Sequence, residues 1–267
     1  MVRRFKQMKM YFFSLWLTLS LLSCLAHAQP TEKITISGQV TNKSGQPVNQ
    51  CDVYFNKNAW IDAHSIHVQC DDQGRYFAEI TKGHYNSVYV CDEARYGIDK
   101  LEFWAWNVTF ESSQTLNAQF DSLEVYSLAA WASNGGSNTI FASFRPMSLQ
   151  KAKEAKHTTF THHQQQAILF DIAPKIEAGS IKGYIDEQAL ELISYSWAYE
   201  KVAECGKLPK SLDDRNGCFM PMIIAQFKKP PLKAGKHTLK IDLVDAKNGD
   251  FGQAISHFTA NERGLGF

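Results

Sequence analysis

Trp104 and Trp106 stand two residues apart, a spacing that puts both indoles on one face of a strand. Two aromatic planes side by side form a stacking platform for sugar rings, with Trp60 or Trp131 as further rings and Tyr89 as a neighbour with a polar edge. The other face of the same segment carries Leu101, Phe103 and Ala105, so both faces are apolar and at least one must be covered by something other than water. The competing reading makes both tryptophans core, where burial of each would contribute up to about 4–6 kcal/mol by area. Joint exposure of the two indoles decides between these readings.

Bond-breaking chemistry finds less support. A zinc hydrolase needs paired ligands and a general base at fixed spacing, and none of the nine histidines has a Glu three residues on. A G-x-S-x-G elbow, a phosphate-cradling glycine loop, a C-x-x-C pair and a dinucleotide fingerprint are all absent from the sequence. No catalytic residue, cofactor site or metal site is therefore expected. His64 and His67 point to opposite faces of a strand, and Cys70 beside them competes for a disulfide. The consecutive His162 and His163 diverge in the same way. Asp245, Asn248 and Asp250 resemble part of a calcium loop, but a turn joining two strands explains them more simply. An acid pair would have to converge from distant loops, for instance Asp121 with Glu124.

The first 28 residues run from a basic segment (Arg3, Arg4, Lys6, Lys9) through an apolar stretch to Ala26, His27 and Ala28, the order of a secretory signal peptide. Cleavage after Ala28 is one processing route. The other reads Leu21, Leu22, Ser23 and Cys24 as a lipobox, in which Cys24 is acylated and the protein is held to a membrane as a lipoprotein. Either route exports the chain, to the periplasm or the cell surface, where thiols tend to oxidise. Cys205 and Cys218 bracket a polar loop, and closing it would stabilise by about 3 kcal/mol on the chain-entropy model. Among Cys51, Cys70 and Cys91, Cys70 with Cys91 is preferred because their strands should be neighbours. One cysteine is then left over. A formal net charge of +1 gives no electrostatic footprint for nucleic acid.

The elements that must position these residues are strands. Alternating apolar residues and Gly-containing turns recur at 34–40, 51–55, 65–69, 75–80 and 87–91, with no helical period between. Further strands are expected at 101–106, 123–131 and 139–144, the last two joined by a turn at 134–137, and all three are assigned to the first sandwich as additions. Residues 148–156, including Lys151, Lys153 and Lys156, are the most helix-tolerant stretch and mark a linker at 148–157. Strands at 165–172, 180–185, 190–199, 220–227, 236–244 and 254–259 make a second unit, 158–267. The expected architecture is all-β: two β-sandwich domains, residues 29–147 and 158–267.

Ile36 to Val40, Ser44 to Val48, Cys51 to Phe55 and Asp71 to Phe77 resemble the carboxypeptidase regulatory-like domain, a transthyretin-like (prealbumin-like) sandwich, over roughly a third of the mature chain. That resemblance implies a non-catalytic accessory module, and here no peptidase accompanies it. Residues 232–249 are similar to the closing strands of bacterial immunoglobulin-like domains. The functional expectation is an exported, non-enzymatic binding or scaffold protein contacting a cell-envelope protein through a sheet edge or inter-strand loops. The alternative is a carbohydrate-binding module using Trp104 and Trp106, with a glycan as partner.

Overall fold

The computed structural model describes residues 32–58, 61–133, 138–203, 205, 208 and 217–260. The leader with Cys24, Trp60, the turn at 134–137, most of the loop between Cys205 and Cys218, and residues 261–267 lie outside the described residues. The chain is all-β, built from facing sheets, and its short helix α1 (Leu149–Glu154) falls within the expected helix-tolerant stretch.

Three sheets form the body. An eight-stranded sheet runs β14 (Gln188–Leu190), β13 (Ile181–Ile185), β17 (Gly235–Val244), β18 (Phe251–Ala260), β6 (Phe103–Phe110), β5 (Gly83–Cys91), β2 (Asp52–Asn56) and β3 (Ile66–Gln69). A four-stranded sheet holds β4 (Arg75–Thr81) and β1 (Lys33–Thr41), with the two-residue strands β7 (Gln114–Thr115) and β8 (Ala118–Gln119) parallel to β1. A six-stranded sheet orders β11 (Thr158–His162), β12 (Gln165–Leu169), β16 (Cys218–Lys228), β10 (Thr139–Ser148) and β9 (Leu123–Ala132), and β15 (Leu192–Val202) pairs with β16.

Alternation along the strands places one apolar core on each side of the eight-stranded sheet. On β6, Phe103 and Ala105 enter a core shared with β1 and β4, while Trp104 enters a second core shared with β9, β10 and β16. The neighbouring β18 divides in the same way, with Ile255 in the first core and Ala254 and Phe258 in the second. Side chains one residue apart on a strand point to opposite faces, so a sheet covered on both sides needs apolar residues at successive positions. The two apolar faces of the β6 segment have this origin.

Two expectations are corrected by the pairing. Strands β9 and β10, assigned from sequence to the first sandwich, join β16 and line the second core. The eight-stranded sheet is also shared, because β18 pairs in parallel with β6 at Ala254 and Trp104, and the chain from Ile34 onward clusters as one compact unit. Strand β10 continues through Pro146 to Ser148, beyond the expected end at 144. Its pairing with β16 stops at Phe144, so the missing N–H of Pro146 breaks no hydrogen bond on that side. Pro221 is tolerated in β16 for a similar reason, since it lies between the partners of β12 at Cys218 and Phe219 and those of β10 from Ile223 onward.

The crossing of β9 over β18 is tight. A Cβ on Gly252 would lie 2.4 Å from the carbonyl oxygen of Leu123, a contact with backbone that no rotamer relieves. Gly252→Ala is therefore expected to lower stability by about 1–3 kcal/mol, read as a lower urea midpoint; an unchanged midpoint would show that β9 yields freely.

Candidate functional site

Of the two readings of the tryptophans, the core one describes Trp104, and no exposed platform is formed. Trp104 is only 5% exposed. Its ring stacks on Trp106 at 4.6 Å between centroids, tilts against Tyr89 at 4.7 Å and meets Tyr126 edge-on at 5.5 Å. Its Nε1 donates to Glu124 Oε1 at 2.8 Å. Strand β9 delivers Glu124 and Tyr126 onto this face of β6, which is the cover that the apolar pattern required. Trp106 is half-buried and packs against the same core. Trp131 lies elsewhere, stacked on Phe141 across the β9–β10 register.

Under the indoles sits an acid pair that sequence reasoning did not bring together. Glu102 and Glu124 are both buried and hydrogen-bonded to each other. Burial pushes Glu102 up to about 7. Burial, reinforced by the charge of Glu102, holds Glu124 well above the usual carboxylate range, against the Trp104 hydrogen bond and the charge of Arg145. Arg145 lies over the Tyr126 ring at 4.4 Å and bridges Glu200 at 2.9 Å. Asp121, the acid that sequence proximity matched with Glu124, instead meets Lys100. The Glu102–Glu124 pair is closed off from solvent, and both carboxyls are biased toward the protonated form.

The cysteines divide between faces. Cys205–Cys218 is a disulfide, as expected, and Cys51–Cys70 is the second. The expected Cys70–Cys91 bridge is therefore corrected. The β2–β3 register pairs Asp52 with Gln69, which brings the flanking Cys51 and Cys70 to a Cα separation of 5.0 Å, both in the first core. Cys91 sits opposite Asp52 outside that core, buried and free.

The remaining candidates have local roles. His64 is exposed, whereas His67 Nε2 meets Asp52 Oδ1 at 2.8 Å. His162 packs against Phe219 at 4.6 Å. In the turn at 245–250, Asp245 accepts from the Lys247 amide and Asn248 Oδ1 from the Asp250 amide, so those oxygens close the turn.

Strand β15 was legible as a strand, but its surface was not. It is eleven residues long and pairs with β16 along one side; among the described residues no strand pairs with its other side. Its S-Y-S-W-A-Y run places Tyr195, Trp197 and Tyr199 on one face opposite Ala225, Ile223 and Pro221. Tyr195 is covered by the second core, but Trp197 is 45% and Tyr199 47% exposed. Ile193, at the register shift between Leu192 and Ser194, is 49% exposed. Trp197, Tyr199 and Pro221 floor a cleft of about 390 Å³ with Pro174 beside them and Lys151 and Lys247 among its lining residues. This face can stack a flat group and the free edge can accept a strand.

The fold and this edge define an all-β protein of facing sheets with an aromatic-lined cleft beside an open strand. No protein-family model and no curated protein matches the sequence. Among solved structures, the chain is similar to a provisionally assigned carbohydrate-binding protein from Bacteroides uniformis, at 10% identity, covering 85% of this chain and 98% of that one, with a TM-score of 0.27. It is also similar to a DUF3823 family protein from Parabacteroides merdae, at 11% identity over 80% and 92% of the two chains, TM-score 0.26. A third is the major pilin subunit of Bacillus cereus, at 11% identity over 84% and 68%, TM-score 0.25. None of these likenesses bears on what the chain binds.

Proposed function

We propose that this is an exported, non-enzymatic binding or scaffold protein that contacts a cell-envelope protein through the free edge of β15 and the adjoining cleft. The observation that carries the reading is the placement of Ile193, Trp197 and Tyr199, all large, apolar and close to half exposed, on one long strand with a side that no strand among the described residues pairs. Exposed edges invite pairing with another chain, and native proteins usually blunt them. Main-chain hydrogen bonds to an added strand supply affinity, while side-chain pockets beside the edge supply specificity. Two disulfides suit an oxidising compartment. The resemblance of the N-terminal strands to carboxypeptidase regulatory-like domains, and of residues 232–249 to immunoglobulin-like closing strands, is in keeping with an accessory role.

Trp197→Ala is expected to abolish capture of a discrete envelope protein that the unsubstituted protein retains, whereas Trp131→Ala leaves capture intact. The same pair of variants run on a glycan array tests the other occupant of the cleft. Saturable glycan binding lost on Trp197→Ala, with no protein captured, would replace the protein partner by a sugar. Equal capture by all three proteins would remove β15 from the function.

A further inference from the structure

The outer face of the β2–β5 pair assembles a set of ligand atoms from four places in the sequence. The register sets Asp52 directly opposite Cys91 and Tyr54 opposite His67. Glu93, two residues beyond Cys91, joins them, so that one ligand atom each from Asp52, Cys91 and Glu93 lies within 4.8 Å of the others. His67 Nε2 is 2.8 Å from Asp52 Oδ1. We propose that Asp52, Cys91 and Glu93, with His67 held against Asp52 as the fourth donor, form a binding site for a divalent transition metal ion of the zinc class.

The chemistry of the set favours that class. A thiol and an imidazole select zinc or cobalt over calcium and magnesium, and two carboxylates complete four ligands. Tetrahedral zinc, with ligands at 2.0–2.3 Å, spaces its donor atoms about 3.3–3.8 Å apart, so the Asp52, Cys91 and Glu93 atoms need to close by roughly an ångström, and the exposed His67 must turn its Nε2 from Asp52 Oδ1 to the metal. Cys91 and Asp52 are buried and Glu93 is exposed, which leaves an entry path from solvent. The partners that would orient the ligands are in place: the Tyr54 hydroxyl donates to Glu93 Oε1 at 2.6 Å, and the Tyr54 ring stacks on His67 at 4.3 Å.

A bound dication would hold the Cys91 sulfur as thiolate. Since the other four described cysteines are closed in disulfides, Cys91 is the thiol that can report the metal.

The test adds Co²⁺ alone to the whole purified protein, stripped with chelator and kept free of reductant. Expected are a thiolate-to-cobalt charge-transfer band saturating at one equivalent, the visible spectrum of a tetrahedral site, and displacement by Zn²⁺. Cys91→Ser should lose the band, and Glu93→Gln should bind about tenfold or more weakly. Glu93 is exposed, so its variant keeps the test valid where Cys91→Ser fails to fold. Uptake without a thiolate band, no uptake at all, or unchanged affinity in Glu93→Gln would each overturn the site.

Discussion

Trp104→Ala is expected to lower the stability of the protein by about 4 kcal/mol, a shift on the order of 10 °C in Tm for a chain of this size. The indole is almost fully buried and touches Trp106, Tyr89 and Tyr126, so its removal opens a cavity between two sheets that neither can collapse to fill. The substitution also takes the Nε1 donor from Glu124, leaving a buried carboxyl with one partner fewer. Trp104→Phe separates the two contributions, because it keeps most of the packing and loses the hydrogen bond. Trp197→Ala, at a half-exposed position, should change stability by well under about 1 kcal/mol. Urea melts of the three variants check the ranking. If Trp104→Ala and Trp197→Ala melt alike, Trp104 is not core.

That ranking follows the core reading of Trp104 over the platform reading, and the reason sequence left the choice open is physical. Alternation along a strand reveals which residues share a face; it does not reveal what lies opposite. The segment 101–106 announced that both its faces were apolar, and the structure covers both, one with β1 and β4 and the other with β9. The cover on the Trp104 face comes from β9 in the facing sheet, whose place there is fixed by pairing through β10 to the distant β16. For the same reason the S-Y-S-W-A-Y run of β15 has the pattern of a buried strand, and only its place beside β16 at the sheet margin exposes Trp197 and Tyr199.

Strands with several alternations were legible, including β1, β2, β4, β17 and β18, whereas the two-residue β7 and β8 are too short to show a period. The Cys205–Cys218 bridge was legible because its loop is local. Cys70 found Cys51 rather than Cys91 because the β2–β3 register decides the face. Glu102 carried a faint signal, a charge set among Leu101, Phe103 and Trp104, but its partner could not be read from sequence. The acid nearest Glu124 in sequence was Asp121, which turns outward to Lys100.

The sealed acid pair makes stability depend on pH in a direction opposite to that of a salt-bridged carboxylate. Glu102 holds its proton in the folded state up to about pH 7, while in the unfolded chain it ionises near its ordinary value of 4.5. Between those values the folded state binds more protons than the unfolded one, so stability falls as pH rises and levels off above the folded value. For Glu102 the loss between pH 5 and 8 amounts to about 2–3 kcal/mol. Glu124, raised in the same direction, extends the decline to higher pH, and the two titrate as a unit. His257 acts on the acid side: burial lowers it to about 4, so its contribution is present above its ordinary 6.5 and is lost as pH falls toward 4. Comparison with Glu102→Gln removes that background, since His257 is common to both proteins. Glutamine keeps the shape of the protonated carboxyl and cannot ionise. In urea melts with chelator present, the unsubstituted protein should lose stability from pH 5 to 8, and the variant should overtake it at the alkaline end. Parallel curves for the two proteins would mean that the pair is ionised in the folded state and that the buried proton does not exist.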